Sequence, residues 1–166
     1  MKYLFLTLTL FTLDSFAGDL SLKNVRLLFE KSVTDETCCK NLIADLNKYN
    51  ESNTTFSAYK ACATMIMAKH CFNPFKKLSY FNEGKALLEK CISSQPENPE
   101  IRYLRFTVQS SAPRFLCYNK SLQEDKDFLQ RHYSNIRDEN LKSMICSFLL
   151  SIDYLTLSEK QNLNHE

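Results

Sequence analysis

Apolar residues recur at intervals of three and four positions along almost the whole chain, which is the spacing of one face of an α-helix. The clearest stripe consists of Leu141, Met144, Ile145, Phe148, Leu149 and Ile152. Glycine and proline, on which the tight turns of β proteins depend, number only 2 and 4. The sequence therefore predicts an all-α protein of antiparallel helical hairpins.

Length and charge narrow the class further. A chain of 166 residues fits one domain, and a hydrophobic content of 44% with 24% charged residues is typical of globular domains. The formal net charge of +2 is too small to predict nucleic-acid binding or strong attraction to a membrane surface. After the N-terminal region no apolar run is long enough to cross a bilayer, so we expect no transmembrane segment.

Residues 1–17 are typical of a secretory signal. Lys2 supplies a positive start, residues 3–13 form an apolar stretch, and Ser15 and Ala17 place small side chains where a signal peptidase inspects them. We predict cleavage after Ala17, an exported protein that is periplasmic or secreted, and one helical domain over residues 18–166. The alternative is that the N-terminal stretch forms a buried helix.

Capping residues predict where the helices of the N-terminal half begin and end. Thr34 is the expected N-cap of one helix, with acidic residues in its first turn. Asn53 or Thr54 caps the next helix. That helix is expected to stop near His70, because the dipeptide Asn73-Pro74 disfavours its continuation.

Similar signals mark the C-terminal half. A helix is predicted from around Leu78 to about Ser94. Ser121 and Glu124 have the spacing of a capping box, in which a serine and a glutamate satisfy each other's backbone donors at a helix start. Asp138 is expected to cap the helix that carries the clearest stripe, and a second capping box is present at Ser158–Gln161.

One spacing pattern resembles a known helical repeat. Gly84, Leu88, Cys91 and Pro96 follow one another at four, three and five positions. Small side chains let two helices approach closely, the large one fills the gap, and the proline ends the hairpin. The pattern resembles the second helix of a tetratricopeptide repeat. The likeness covers residues 80–103, whereas residues 71–77 look like an insertion before it and Arg105 stands where the repeat has leucine.

The chain also resembles a family of exported helical proteins of Bacteroidetes-type bacteria. The stretches that carry this resemblance are residues 68–75, residues 80–95 and residues 100–106. The resemblance implies a helical fold and an address outside the cytoplasm. It implies no particular activity.

A polar stripe beside an apolar helix face is the candidate binding site. Its members are Arg102, Arg105 and Gln109 on one helix, followed by Tyr118 and Asn119 in the next loop. Guanidinium groups match carboxylates, and helical repeats commonly bind partners on a concave face. The site would bind a carboxylate or a peptide backbone of another envelope protein. The alternative is that the arginines pair with acids of the same chain, such as Asp125, or are simply solvated.

Motifs that carry catalysis or bind cofactors are missing from the sequence. Two isolated glycines cannot form the usual phosphate-binding loops, and neither Gly-x-Ser-x-Gly nor His-Glu-x-x-His occurs after residue 17. Cys62 and His70 lie two helical turns apart, about 12 Å, which is too far for one metal ion. We therefore predict no cofactor, no metal site and no catalytic residue.

The seven cysteines leave two possibilities open. Their number is odd, so at least one thiol has no partner within the chain. Most of them stand where a small apolar residue would serve in a helix, which favours buried thiols. An oxidising compartment would also permit one or two disulfides.

These observations favour a non-enzymatic interaction or scaffold protein that binds through the polar stripe. Two alternatives come from other functional classes. One is an enzyme with a dispersed polar site, and the other is a carrier of a small molecule or lipid between the aromatic-rich helices.

Overall fold

The computed structural model describes residues 20–49 and 53–152. Within these residues lie seven α-helices, two single-turn 3-10 helices at Arg114–Leu116 and Tyr133–Asn135, and no strand. The helices are α1 Leu22–Ser32, α2 Glu36–Leu46, α3 Thr54–His70, α4 Pro74–Ser94, α5 Pro99–Ser111, α6 Leu122–His132 and α7 Glu139–Ser151. The prediction of an all-α helical bundle is confirmed, while the predicted signal peptide at 1–17 and the predicted capping box at 158–161 lie outside the described residues.

Most helices begin at a serine, aspartate or asparagine whose side chain accepts a hydrogen bond from a backbone N–H of the first turn. Asn53 accepts a hydrogen bond from the backbone N–H of Phe56, and Asp138 accepts one from Leu141, so both predicted caps are confirmed. The prediction of Thr34 as a cap is wrong by one residue. Asp35 caps α2 instead, because the Thr34 hydroxyl donates backwards to the carbonyl of Lys31.

The capping box predicted at the start of α6 does not form. Ser121 occupies the N-cap position, but its side chain makes no capping hydrogen bond. The carboxylate of Glu124 pairs with Arg102 of α5. An ion pair with another helix thus replaces the local bond that the spacing predicts.

Helix α4 begins earlier than the sequence pattern predicted, at Pro74 rather than around Leu78. Asn73 caps it by accepting from the N–H groups of Phe75 and Lys76, and a proline is favourable at the first helical position because it has no N–H to leave unpaired. The supposed insertion at 71–77 is therefore a three-residue connection followed by the first turn of α4. Helices α3 and α4 form a direct hairpin.

The hydrophobic core lies around α3, which packs against α1, α2, α4 and α5. Every helix from α1 to α7 contributes buried side chains to this core. The largest contact is between α3 and α4, where Gly84 lies against the backbone of α3. A Cβ atom at Gly84 would collide with the carbonyl oxygen of Ala61 and the side chain of Met65. The predicted close approach at Gly84 is confirmed, and Leu88 and Cys91 are buried in the same hairpin.

Candidate functional site

Helix α5 carries the candidate arginines, and neighbours bury it on several sides. It packs against α3, α4, α6 and α7, and residues 100–106 are buried without interruption. Charged side chains on such a helix must find partners, because an unpaired buried charge is strongly unfavourable. The partners of Arg102 and Arg105 therefore decide what this stripe can do.

Both arginines converge on Asp125 of α6, whose side chain is 0% exposed. The Nε and Nη2 atoms of Arg105 donate to the two carboxylate oxygens of Asp125 at 2.7 and 2.8 Å. The Nη1 atom of Arg102 donates to Asp125 Oδ1 at 2.8 Å and to Glu124 at 2.5 Å, and its Nε donates to the carbonyl of Pro96 at 2.7 Å. The stripe is thus an ion-pair cluster that joins α5 to α6.

The charges of this cluster reinforce one another. Burial by itself lowers the pKa of Arg105, but hydrogen bonds and charge attraction from Asp125 outweigh burial and leave that pKa above its ordinary value. A hydrogen bond from Arg102 holds the pKa of Glu124 below its ordinary 4.5. The shifted pKa values of Arg102, Arg105 and Glu124 all favour the charged forms, which strengthens the electrostatic contact between the two helices.

The remaining candidates organise the loop between α5 and α6. The Tyr118 hydroxyl donates to Glu89 of α4 at 2.5 Å, and the Gln109 side-chain oxygen accepts from the backbone N–H of Ser121 at 3.1 Å. Asn119 is exposed, and its backbone carbonyl accepts from Leu122. The structure therefore gathers Arg102, Arg105, Gln109 and Tyr118 in one buried layer, and leaves Asn119 at the rim.

A second ion-pair cluster, centred on the buried Arg26, was not predicted from the sequence. Arg26 of α1 reaches Glu100 of α5 through Nε at 2.7 Å and Nη2 at 2.9 Å. Its guanidinium also donates to Asp138, at 2.7 and 3.1 Å, and to Asn140 at the start of α7. The hydroxyl of Tyr59 on α3 donates to Glu100 Oε1 at 2.7 Å. One guanidinium thus links α1, α5 and α7, and α3 joins through Tyr59.

The sequence did carry a signal for this second cluster. Arg26 stands on the apolar face of α1, four positions after Leu22 and three before Phe29. Burial, followed by the nearby carboxylate of Glu100, raises the pKa of Tyr59 well above its usual range, which keeps the phenol protonated as a donor. A charged residue such as Arg26 inside an apolar stripe indicates that a buried partner of opposite charge is present.

The buried side-chain nitrogen and oxygen atoms in the described part of the chain are all hydrogen-bonded. The two clusters therefore hold helices together, and they present no polar group that points unpaired toward a ligand. Of the alternatives for Arg102 and Arg105, the structure shows pairing within the chain with Asp125.

The seven cysteines form no disulfide, and four of them, Cys38, Cys39, Cys62 and Cys91, are buried. Burial raises the pKa of Cys39 to about 11 and that of Cys62 still further, so neither is a ready nucleophile. In the described residues no three His, Cys, Asp or Glu side chains are grouped so as to hold a metal ion.

A different feature stands out on the surface. Residues 72–79, named here the α3–α4 corner, are all exposed, although they include the first six residues of α4. Phe72 is 100% exposed, Phe75 83% and Leu78 49%. Phe115 in the loop after α5 and Leu27 on α1 are also exposed. Only the corner brings several large apolar side chains together in one short stretch of the described chain.

Comparisons with known proteins found no match: no family model, no curated protein and no solved structure matches the chain. No helix in the described residues is long and apolar enough to span a membrane.

Proposed function

We propose that the chain is an exported helical interaction protein without catalytic activity, and that it binds its partner through the α3–α4 corner. The observation that carries the proposal is the contrast in how side chains are used. The buried arginines pair with acids of the same chain, while three large apolar side chains at the corner are exposed. Exposed apolar clusters on an otherwise polar surface commonly mark interaction sites.

The polar stripe enters this proposal in a supporting role. The cluster around Asp125 fixes α6 against α5, and Tyr118 ties the intervening loop to α4 through Glu89. The Tyr118 ring also packs edge-on against Phe81, with ring centroids 5.8 Å apart, one turn beyond the corner on the same helix. The candidate residues of the stripe thus brace the helix that presents the corner.

The tetratricopeptide resemblance agrees with a binding role. Helices α3 and α4 form a tight hairpin at Gly84, as the helices of such a repeat do, and Arg105 replaces the expected leucine because Asp125 is present to pair with it. Proteins of that class act chiefly by binding other molecules. The proposal extends that mode of action to this chain, with the corner as its contact point.

A photo-crosslinking experiment tests the proposed surface. The full chain would carry a photo-reactive phenylalanine at position 75, or at Ser94 as the control, which is also exposed but lies at the opposite end of α4. We expect a defined adduct, detected by mass spectrometry, from position 75 in intact cells and none from position 94. The double substitution Phe72→Ser with Leu78→Ser should abolish the adduct from position 75. No adduct at position 75, or equal adducts at both positions, would overturn the proposed surface.

Export is tested by the mass of the native protein. If residues 1–17 are a signal, the mature chain begins at Gly18, and the intact mass of material from the periplasm or the medium will show it. A cytoplasmic protein that retains Met1 would contradict the exported part of the proposal and leave the corner to be judged separately.

A further inference from the structure

Resting on the proposed function, we propose that the partner of the α3–α4 corner is the surface of an anionic lipid membrane. Phe72, Phe75 and Leu78 would enter the interfacial layer, and neighbouring lysines would lie at the level of the phosphate groups. The inference rests on the exposure and shape of the corner, on its backbone hydrogen bonds and on its charge.

The apolar side chains of the corner extend into solvent and do not line a groove. A side chain that is 100% exposed, like that of Phe72, touches no neighbour that could form a pocket wall around it. Phe75 and Leu78 stand three residues apart, so they share one side of α4 beside the connection that holds Phe72. Exposed apolar side chains can insert at the boundary between lipid headgroups and acyl chains, because fluid lipids adapt to their shape without a preformed pocket.

The first turn of α4, which forms part of the corner, can enter an apolar layer without exposing unpaired backbone donors. The first N–H groups of a helix normally have no partner within the helix. Here Pro74 has no N–H, and Phe75 and Lys76 donate to the Asn73 side chain at 2.9 and 3.2 Å. Lys77 donates to the Asn73 carbonyl at 2.9 Å. Because an unsatisfied N–H is costly in hydrocarbon, these bonds favour insertion of the first turn of α4. Because these N–H groups are already bonded, they are not available to bind a lipid phosphate, which would have to be bound by side chains.

Along the chain, the charge on both sides of the corner has one sign. Residues 52–82 contain no aspartate or glutamate but four lysines. Three of these lysines, Lys69, Lys76 and Lys77, are exposed, and none forms an ion pair with a residue that the structure describes. Lysines that flank a small apolar patch match a negatively charged lipid surface, and their long stems can follow the patch while the ammonium groups stay in water.

The chain contains no tryptophan, which allows a direct test. Phe75→Trp places a single reporter at the corner, and Ser94→Trp places one at the other end of α4, roughly 30 Å away. With vesicles of phosphatidylcholine and phosphatidylglycerol, we expect the emission of Phe75→Trp to shift to the blue and that of Ser94→Trp to stay unchanged. Vesicles of phosphatidylcholine alone should give little shift in either variant.

Charge variants separate a specific site from general attraction. We expect Lys76→Gln with Lys77→Gln to weaken vesicle binding about 25-fold, at about fivefold per lysine. The matched control, Lys23→Gln with Lys120→Gln, removes the same charge from exposed positions elsewhere and should change binding less than about threefold. Equal losses in both pairs would overturn the inference, because attraction would then depend on net charge alone.

The vesicle and crosslinking results together distinguish the two proposals. Absence of vesicle binding, with a protein adduct at position 75 in cells, would overturn the lipid inference and leave the corner as a protein-binding surface. Absence of both would overturn the two proposals together. A blue shift of Phe75→Trp already present without vesicles would mean that another segment of this chain covers the corner, which also overturns the inference.

Discussion

The α5–α6 contact and the α3–α4 corner use cationic side chains in opposite ways. Arg102 and Arg105 are buried, and they bind Asp125 in fixed geometry. Lys76 and Lys77 are exposed beside apolar side chains, with no acid within several residues along the chain. Buried charges must be paired to be tolerated, so the arginines are committed to the fold. The corner contributes little to the fold, which leaves it available to a partner.

The comparison predicts its largest effect at Asp125. Asp125→Ala would leave two buried guanidinium groups without their shared carboxylate, and loss of one partner from a buried pair costs about 3–5 kcal/mol. Asp127→Ala on the same helix removes a carboxylate whose only hydrogen bond described is to exposed Gln123, and should change stability by less than about 0.5 kcal/mol. Urea unfolding measures both. Similar losses in the two variants would remove the distinction between buried and exposed charge.

The hairpin that presents the corner should be the next most sensitive. Gly84→Leu would force a side chain against the backbone of Ala61, which cannot move aside as a flexible side chain can. We expect a loss of about 3 kcal/mol, at the upper end of the usual range for overpacking. Ala86→Leu, at an exposed position of the same helix, should be nearly neutral. If the two variants melt alike, the repeat-like spacing is accidental.

The second cluster predicts a smaller change at Tyr59. Tyr59→Phe removes the hydroxyl that donates to Glu100 but keeps the ring in the core. Glu100 retains its two bonds from Arg26, so we expect a loss of about 1.5 kcal/mol, typical of a hydrogen bond to a charged group. Thermal and urea unfolding would measure it. An unchanged stability would mean that Arg26 alone satisfies Glu100.

Acid should weaken the Arg26 cluster through Asp138. A hydrogen bond from Arg26 lowers the pKa of Asp138 below its ordinary 3.8, so its contribution to stability is present above that pH and is lost as the pH falls through the lower folded value. Asn also caps helices well, so Asp138→Asn keeps the start of α7 while removing the charge. We expect the variant to lose less stability than the natural chain as the pH falls from neutral through the ordinary aspartate pKa of 3.8. An identical pH profile would contradict this role of Asp138.

The smallest effect on stability is expected at the corner. Phe75→Ser removes a side chain that is 83% exposed, so the free energy of unfolding should change by less than about 0.5 kcal/mol. The same variant should lose the partner of the corner. A large loss of stability would show that Phe75 serves the fold, and the contrast with the α5–α6 contact would then fail.

Local signals predicted the helices well where the capping side chain still reaches the backbone of its own first turn. Asn53 and Asp138 cap as expected because each needs only the backbone of its own first turn. The stripe on α7 buries Leu141, Ile145 and Leu149 as predicted. Local signals failed where a residue of another helix formed a stronger interaction with the same side chain. Glu124 pairs with Arg102 instead of completing its capping box, since the attraction between two full charges adds to the charge-assisted hydrogen bond.

The start of α4 shows a second kind of error. The apolar pattern suggested a start around Leu78 because residues 74–77 have no buried face. A helix can begin before its buried face does when a cap and a proline stabilise its first turn, and Asn73 and Pro74 do so here. That unburied first turn is why the corner was not recognised as a candidate surface from sequence.

By itself the sequence determined the helical class, most helix ends and the close contact at Gly84, because periodicity, capping and side-chain size act within a few residues. It also pointed to Arg102 and Arg105 as a unit, and left open whether acids of the same chain would pair with them. Only the tertiary structure decided that question, by placing Asp125 between them, and only it showed that residues 72–79 stay uncovered. Both depend on which distant segments meet, and no local spacing encodes that.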